Sequence, residues 1–333
     1  MVADPATPGA TPDPGTGDLE RAILGSDPVL TAEEVAEVAG VTPDQFRRLW
    51  RSLGFPEFAP DEAGFVGADA DAARLLLSVT GGDFVDFDVA VNLTRAVGQT
   101  MARLADWEVT ALLQKVDELA TLESENRIET AISLVSELNR PFEGLLIYAW
   151  RRHLAAAAAR MEALRASEED LHTVEVTVGF ADIVGFTALS NTLTQERIGD
   201  LVELFEMRCT DVVATQRGRV IKSIGDSVLF VNDDPVKAYD TAEGIINVIG
   251  RDTRMPDVRV GLASGAVVQR LGDVFGPPVN LASRLTGVAR RNRIIIDAMT
   301  AALLPTEEFE TRRLPARPVR GFGLVEPVAV RRR

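Results

Sequence analysis

Apolar positions recur at helical spacing through the first half of the chain. Thr31 reads as an N-cap for a helix over 32–39. Gly40 stops that helix, and Thr42-Pro43 starts the next with proline at the first helical position. Phe46, Leu49, Trp50 and Leu53 form the buried face of this second helix, and Val35, Val38, Phe46, Phe58 and Phe65 are assigned to a core. The stretch 84–123 fits one long helix or two shorter ones. Ile128, Ala131, Ile132, Val135 and Leu138 continue the period up to Pro141, which is expected to interrupt it. A last helix is expected over 142–165, favoured by the alanine run at 155–159. Its Ile147, Tyr148, Trp150 and Leu154 are expected to pack between helices.

After Thr173 the period shortens. Residues 174–180 alternate and are β-branched, 194–216 form an amphipathic helix, and 219–224 and 227–231 are two strands around a Gly225-Asp226 turn. A helix at 235–249, a strand at 258–264, a helix at 279–289 and strands at 293–296 and 324–330 follow. The expected organisation is a Pro/Gly-rich disordered tail over 1–18, an all-helical domain over 19–166, a polar linker over 167–173 and an α/β domain over 174–333. The fold class is therefore α+β.

Composition narrows the chemistry. No apolar run approaches the roughly 18 residues that span a bilayer, and no basic patch precedes an apolar stretch at the N-terminus. Membrane insertion and secretion are not expected. Cys209 is the single cysteine, which fits a reducing cytoplasm. With only two histidines beside it, an ordinary Cys/His zinc site is excluded, so a metal would rest on carboxylates, as Mg²⁺ or Mn²⁺ does. The net charge of −15 makes nucleic acid a poor partner unless basic residues cluster locally.

Three segments carry candidate chemistry. In Phe180-Ala181-Asp182-Ile183-Val184-Gly185-Phe186-Thr187 an aspartate ends an apolar strand, and in Ile221-Lys222-Ser223-Ile224-Gly225-Asp226-Ser227 a second aspartate sits in a hairpin turn. Two carboxylates at adjacent strand ends can hold hard divalent cations, with nucleotide phosphates completing the coordination. Taken alone, each reads first as a turn aspartate. In the third segment, running from Asp273 to Leu285, Asn280 and Arg284 share a helical face and can hold a sugar and a phosphoryl oxygen. Alone, Arg284 reads as a surface ion-pair partner.

Together, in this order and strand–helix frame, the segments resemble the catalytic domain of class III adenylate and guanylate cyclases. The resemblance covers about residues 174–330 and implies a ferredoxin-like core. It implies that Asp182 and Asp226 hold two Mg²⁺ or Mn²⁺ ions per active site, with the Ile183 carbonyl as a further ligand. Lys222 and Asp273 would read adenine, which favours ATP over GTP. Asn280 would orient the ribose, Arg284 would stabilise the α-phosphate, and Arg320, in Val319-Arg320-Gly321, would hold the terminal phosphates. The implied reaction makes cyclic AMP and pyrophosphate, with no protein base required. Because family sites take residues from two domains and this chain has one, a homodimer with two composite sites is implied.

The helical half resembles the regulatory domain of actinobacterial cyclases that respond to pH. His153 and His172 are the candidate titrating residues, with solvated surface as the plainer reading of both. Residues 31–53 also read as a DNA-binding helix-turn-helix with Arg47, Arg48 and Arg51 on the second helix, although Glu33, Glu34, Glu37 and Asp44 offset that basic face. A nucleotide-binding sensor without turnover is the other functional class left open.

Overall fold

The computed structural model describes residues 16–80, 86–123, 127–166, 173–270 and 272–333. The chain divides into two compact units, Met1–Ala156 and Ala157–Arg333.

The first unit is built from α1 (Thr16–Leu24), α2 (Ala32–Ala39), α3 (Pro43–Leu53), α4 (Gly67–Thr80), α5 (Phe87–Glu123) and most of α6 (Arg127–Ala166). α1 begins inside the stretch read from sequence as a tail. The starts of α2 and α3 are fixed by capping boxes, Thr31 with Glu34 and Thr42 with Gln45, and both helices end on left-handed glycines, Gly40 and Gly54. Their apolar faces meet in a core of Val35, Ala36, Phe46 and Phe65, edged by Trp50 and Phe58. Val38 does not join it and is half exposed, because it sits beside, not within, the buried stripe of Ala32, Val35, Ala36 and Ala39. Two arginines of α3 are engaged within the unit: Arg48 pairs with Asp88 at 2.7 Å and Arg51 with Glu57 at 2.7 Å.

α5 is a single helix, the first of the two arrangements its sequence allowed. α6, against expectation, runs unbroken through Pro141. Proline there removes the hydrogen bond to the Glu137 carbonyl and crowds that carbonyl, and the many remaining bonds of a 40-residue helix carry it past the gap. Ile147, Tyr148, Trp150 and Leu154 do not pack between helices. All four are more than half exposed, Trp150 at 62%.

The second unit follows the alternating pattern. Its elements are β1 (Thr173–Ile183), α7 (Phe186–Ser190), α8 (Gln195–Thr215), β2 (Arg219–Ile224), β3 (Ser227–Asn232), α9 (Pro235–Gly250) and β4 (Val258–Arg270). They continue with β5 (Asp273–Phe275), α10 (Pro277–Val288), β6 (Ile294–Ile296), α11 (Ala298–Leu303), β7 (Phe309–Arg313), β8 (Arg317–Val319), β9 (Gly323–Val325) and β10 (Val328–Arg332). The main sheet has the order β2-β3-β1-β4-β6-β10-β7, with β5 added against β4. Its first four strands and the helices α8 and α9 make a βαββαβ ferredoxin-like core. β4 and β6 are parallel, and the other pairings are antiparallel.

Strand alternation gives the sheet two apolar faces. Phe205, Cys209, Tyr239, Ile245, Val260 and Ile296 pack on the α8/α9 side. Val176, Val178, Leu229 and Ala263 pack on the other side against Ala282 of α10. α10 lies very close to the sheet: a Cβ at Gly261 would stand 2.4 Å from the Thr286 nitrogen and 2.5 Å from the Ala282 carbonyl oxygen. The strand expected over 324–330 is instead two, β9 and β10, parted at Pro327, which has no N–H to offer a ladder.

Candidate active site

β1 carries Asp182 to the end of the central strand, in register with Ser227 on β3 and Arg259 on β4. Both neighbours bind its carboxylate. The Ser227 hydroxyl donates to Oδ1 at 2.6 Å, and Arg259 donates to Oδ2 through Nε at 2.7 Å, with a second guanidinium nitrogen at 2.6 Å. Asp226 follows Gly225 in the two-residue turn between β2 and β3, where the glycine takes φ +60°. The Asp226 carbonyl accepts the Ile183 N–H at 3.1 Å, which ties this turn to the end of β1. Burial pushes the Asp226 carboxyl above the usual carboxylate range, and the charge of Asp182 adds to the shift. Asp182, Ile183 and Asp226 are therefore gathered at one corner of the sheet.

The same corner meets the requirements of a divalent cation in part. Two carboxylates repel there, and burial, with that repulsion added, shifts Asp226 toward its neutral form. No cluster of three or more His, Cys, Asp or Glu side chains suited to a metal occurs among the described residues. A cation here would thus take its remaining ligands from backbone oxygen, water or substrate phosphate, the hard oxygen set that Mg²⁺ accepts. The residues fit on that condition.

Lys222 and Asp273 also meet. The Lys222 ammonium donates to Asp273 Oδ2, while Asp273 Oδ1 accepts the Val274 N–H at 2.8 Å. Both side chains remain partly exposed. Asn280 and Arg284 lie exposed on α10, which starts at Pro277 after Gly276 and is tied to β1 by the Thr286 hydroxyl donating to the Phe180 carbonyl at 3.2 Å. Arg320 is exposed in the turn of the separate β8–β9 hairpin. Among the described residues, no hydrogen bond or ion pair joins the aspartate corner to Lys222, Asp273, Asn280, Arg284 or Arg320. His153 is exposed on α6, and His172 lies outside the described residues.

Sequence reading missed Arg259 and Ser227. Ser227 follows Asp226 directly and was visible only as a turn neighbour. Arg259 is 77 residues from its partner, and only the β1–β4 register brings the two together.

The family of adenylate and guanylate cyclase catalytic domains matches residues 169–330. An adenylate cyclase of Streptomyces coelicolor is 35% identical, with the alignment covering 99% of this chain and 92% of that protein. One from Streptomyces griseus is 35% identical over 97% of this chain and 90% of its own length. A Mycobacterium tuberculosis protein named a pH-sensitive adenylate cyclase is 32% identical, covering 85% of this chain and 72% of that protein. The likeness thus runs through the helical half as well as the sheet that gathers Asp182, Asp226 and Arg259, and the chain belongs to the class III adenylate cyclase family.

Proposed function

We propose that the chain is an adenylate cyclase that converts ATP to 3′,5′-cyclic AMP and pyrophosphate. The single observation that carries this reading is the corner where Asp182 and Asp226 converge at the ends of β1 and the β2–β3 turn. The full-length likeness to adenylate cyclases supports the choice of substrate.

Two Mg²⁺ or Mn²⁺ ions would be held by Asp182, Asp226 and the Ile183 carbonyl, and bound there they lower the pKa of the ribose 3′-hydroxyl and neutralise phosphoryl charge. Arg259 and Ser227 fix the Asp182 carboxylate in place before substrate arrives. Lys222 donates to adenine N1 and Asp273 accepts from the exocyclic amine. Their ion pair keeps both satisfied in the free protein. Asn280 orients the ribose, Arg284 stabilises the α-phosphate as the pyrophosphate leaves, and Arg320 binds the terminal phosphates. Positioning and fixed positive charge do the rest of the work, as in other phosphoryl transfers.

The sites are composite, each taking the aspartate corner from one protomer and Lys222, Asp273, Asn280 and Arg284 from its partner in a homodimer. The lack, among the described residues, of any bond between the two groups within one chain supports this, as do the exposed Tyr148 and Trp150 of α6, which a single chain leaves in water. No helix among the described residues is long and apolar enough to cross a membrane, in keeping with a cytoplasmic enzyme. Regulation runs through the helical half and responds to pH, with His153 and His172 as the titrating groups. The test of function is ATP conversion by the full chain with Mg²⁺ or Mn²⁺. Cyclic AMP is the expected product, and ATP binding without turnover would leave a nucleotide sensor instead.

A further inference from the structure

The far end of the main sheet has a second face that no helix covers fully. On β6, β10 and β7, register places Ile295, Ala329 and Arg312 in one row. One alternation further, Arg331 stands opposite Glu310, and Arg293 occupies the matching position just before β6. The intervening residues Ile294, Ile296 and Val328 point the other way, into the core beneath α8 and α9. The apolar members of the outer face, Ile295 and Ala329, cluster with Leu285 and Ala289 from the end of α10 and with Leu314. A cleft of about 740 Å³ opens over this floor, rimmed by Arg290, Arg293, Arg312, Arg317 and Arg331. That volume lies within the roughly 300–1,000 Å³ of small-molecule sites.

Charge is the informative feature. The single acid of the rim, Glu310, is taken by Arg331, which donates to it at 2.8 and 2.5 Å. The side chains of Arg290, Arg293, Arg312 and Arg317 have no acidic partner among the described residues. This convergence of arginines on one cleft occurs in a chain with 50 acidic and 35 basic side chains, whose overall charge would not by itself gather cations here. Four like charges around one cleft repel each other, and a multivalent anion relieves that repulsion while using the fork geometry of guanidinium. None of these residues belongs to the groups assigned to ATP above, so the inference stands apart from that reading.

We propose that this cleft binds a small polyanion with two or more linked phosphate groups, with the apolar floor available to an organic moiety. Isothermal titration of the full chain with inorganic tripolyphosphate, in EDTA and at moderate salt, tests it. The expected result is saturable binding that the double variant Arg290→Ser/Arg312→Ser weakens roughly tenfold or more. Arg290→Lys/Arg312→Lys should bind better than the serine pair, and neither double variant should change the basal rate of cyclic AMP formation. Arg284→Ala should leave tripolyphosphate affinity unchanged. Equal affinity of wild type and the serine double variant would overturn the proposal. Loss of affinity in Arg284→Ala with none in the serine variant would assign the probe to the composite site and overturn it as well. Binding of a double-stranded oligonucleotide that depends on the same arginines, with none of tripolyphosphate, would replace it with nucleic-acid recognition.

Discussion

The carboxylate of Asp182 accepts a neutral hydroxyl bond on one oxygen and charge-assisted guanidinium bonds on the other. A neutral hydrogen bond contributes about 1 kcal/mol and one to a charged group about 1.5–3 kcal/mol. Arg259→Ala should therefore lower kcat by roughly 10- to 150-fold and Ser227→Ala by only about fivefold, with both proteins still folded. Equal losses would show that Arg259 does not orient the carboxylate. Asp182→Ala and Asp226→Ala should each abolish cyclic AMP formation, and substantial activity in either would contradict the two-metal assignment. Lys222→Glu combined with Asp273→Ala should raise KM for ATP or lower kcat/KM, since two polar pairings with the base are lost. Unchanged ATP kinetics would show that another pair reads the base. The aspartates could be singled out in the sequence only because three segments in one order resemble a known family; alone, each read as a turn residue. Arg259 could not be, since its role depends on cross-strand register between segments far apart in the chain.

Gly261 and Tyr239 show how the elements are held in place. α10 can reach β4 only because Gly261 lacks a Cβ, and the atoms a side chain would meet are the Thr286 nitrogen, the Ala282 carbonyl oxygen and the Thr286 hydroxyl. Gly261→Ala should cost about 1–3 kcal/mol through overpacking and should reduce kcat by displacing Asn280 and Arg284. Calorimetry and steady-state rates check the two effects separately, and an unaltered Tm would contradict the packing argument. On the opposite face, the Tyr239 hydroxyl of α9 donates to Glu243 at 2.9 Å and accepts the Arg332 N–H of β10 at 3.1 Å. Burial, with the hydrogen bond to Glu243, pushes its pKa up to about 12. The folded chain thus holds the phenolic proton more tightly than the unfolded chain, whose tyrosines titrate near pH ~10. The stabilisation is complete below about pH 10 and is lost as pH rises toward about 12. In Tyr239→Phe, the fall in stability over that interval should be shallower than in wild type, as read from urea midpoints at pH 9.5 to 11.5. Most long elements could be read from caps and period, α2 and α3 almost to the residue. The short strands β5, β7 and β8 could not, because three to five residues carry too little alternation, and the continuity of α6 through Pro141 was hidden because local rules place a break there.

Two features of the chain bear on how copies assemble. Among the described residues no bond joins Asp182 or Asp226 to the Asn280 and Arg284 side chains, although Arg259 donates to the Gly287 carbonyl of α10 at 3.4 Å, and α6 leaves Tyr148 and Trp150 exposed. The proposed homodimer would join the two groups across its interface and would bury those aromatic side chains. If the helical half senses pH, the full chain should be more active at mildly acidic than at neutral pH, while residues 173–333 alone should lose much of that dependence. His153→Ala and His172→Ala, measured separately, assign the effect. Superimposable pH–rate profiles for the full chain and the catalytic half would remove the helical half from pH control. The shared site itself is tested most directly by mixing Asp182→Ala and Arg284→Ala chains, each inactive alone. A mixed dimer has one site lacking both groups and one site intact, so cyclic AMP formation should return in part once subunits exchange. Activity that stays at background after exchange has been verified would contradict the composite site.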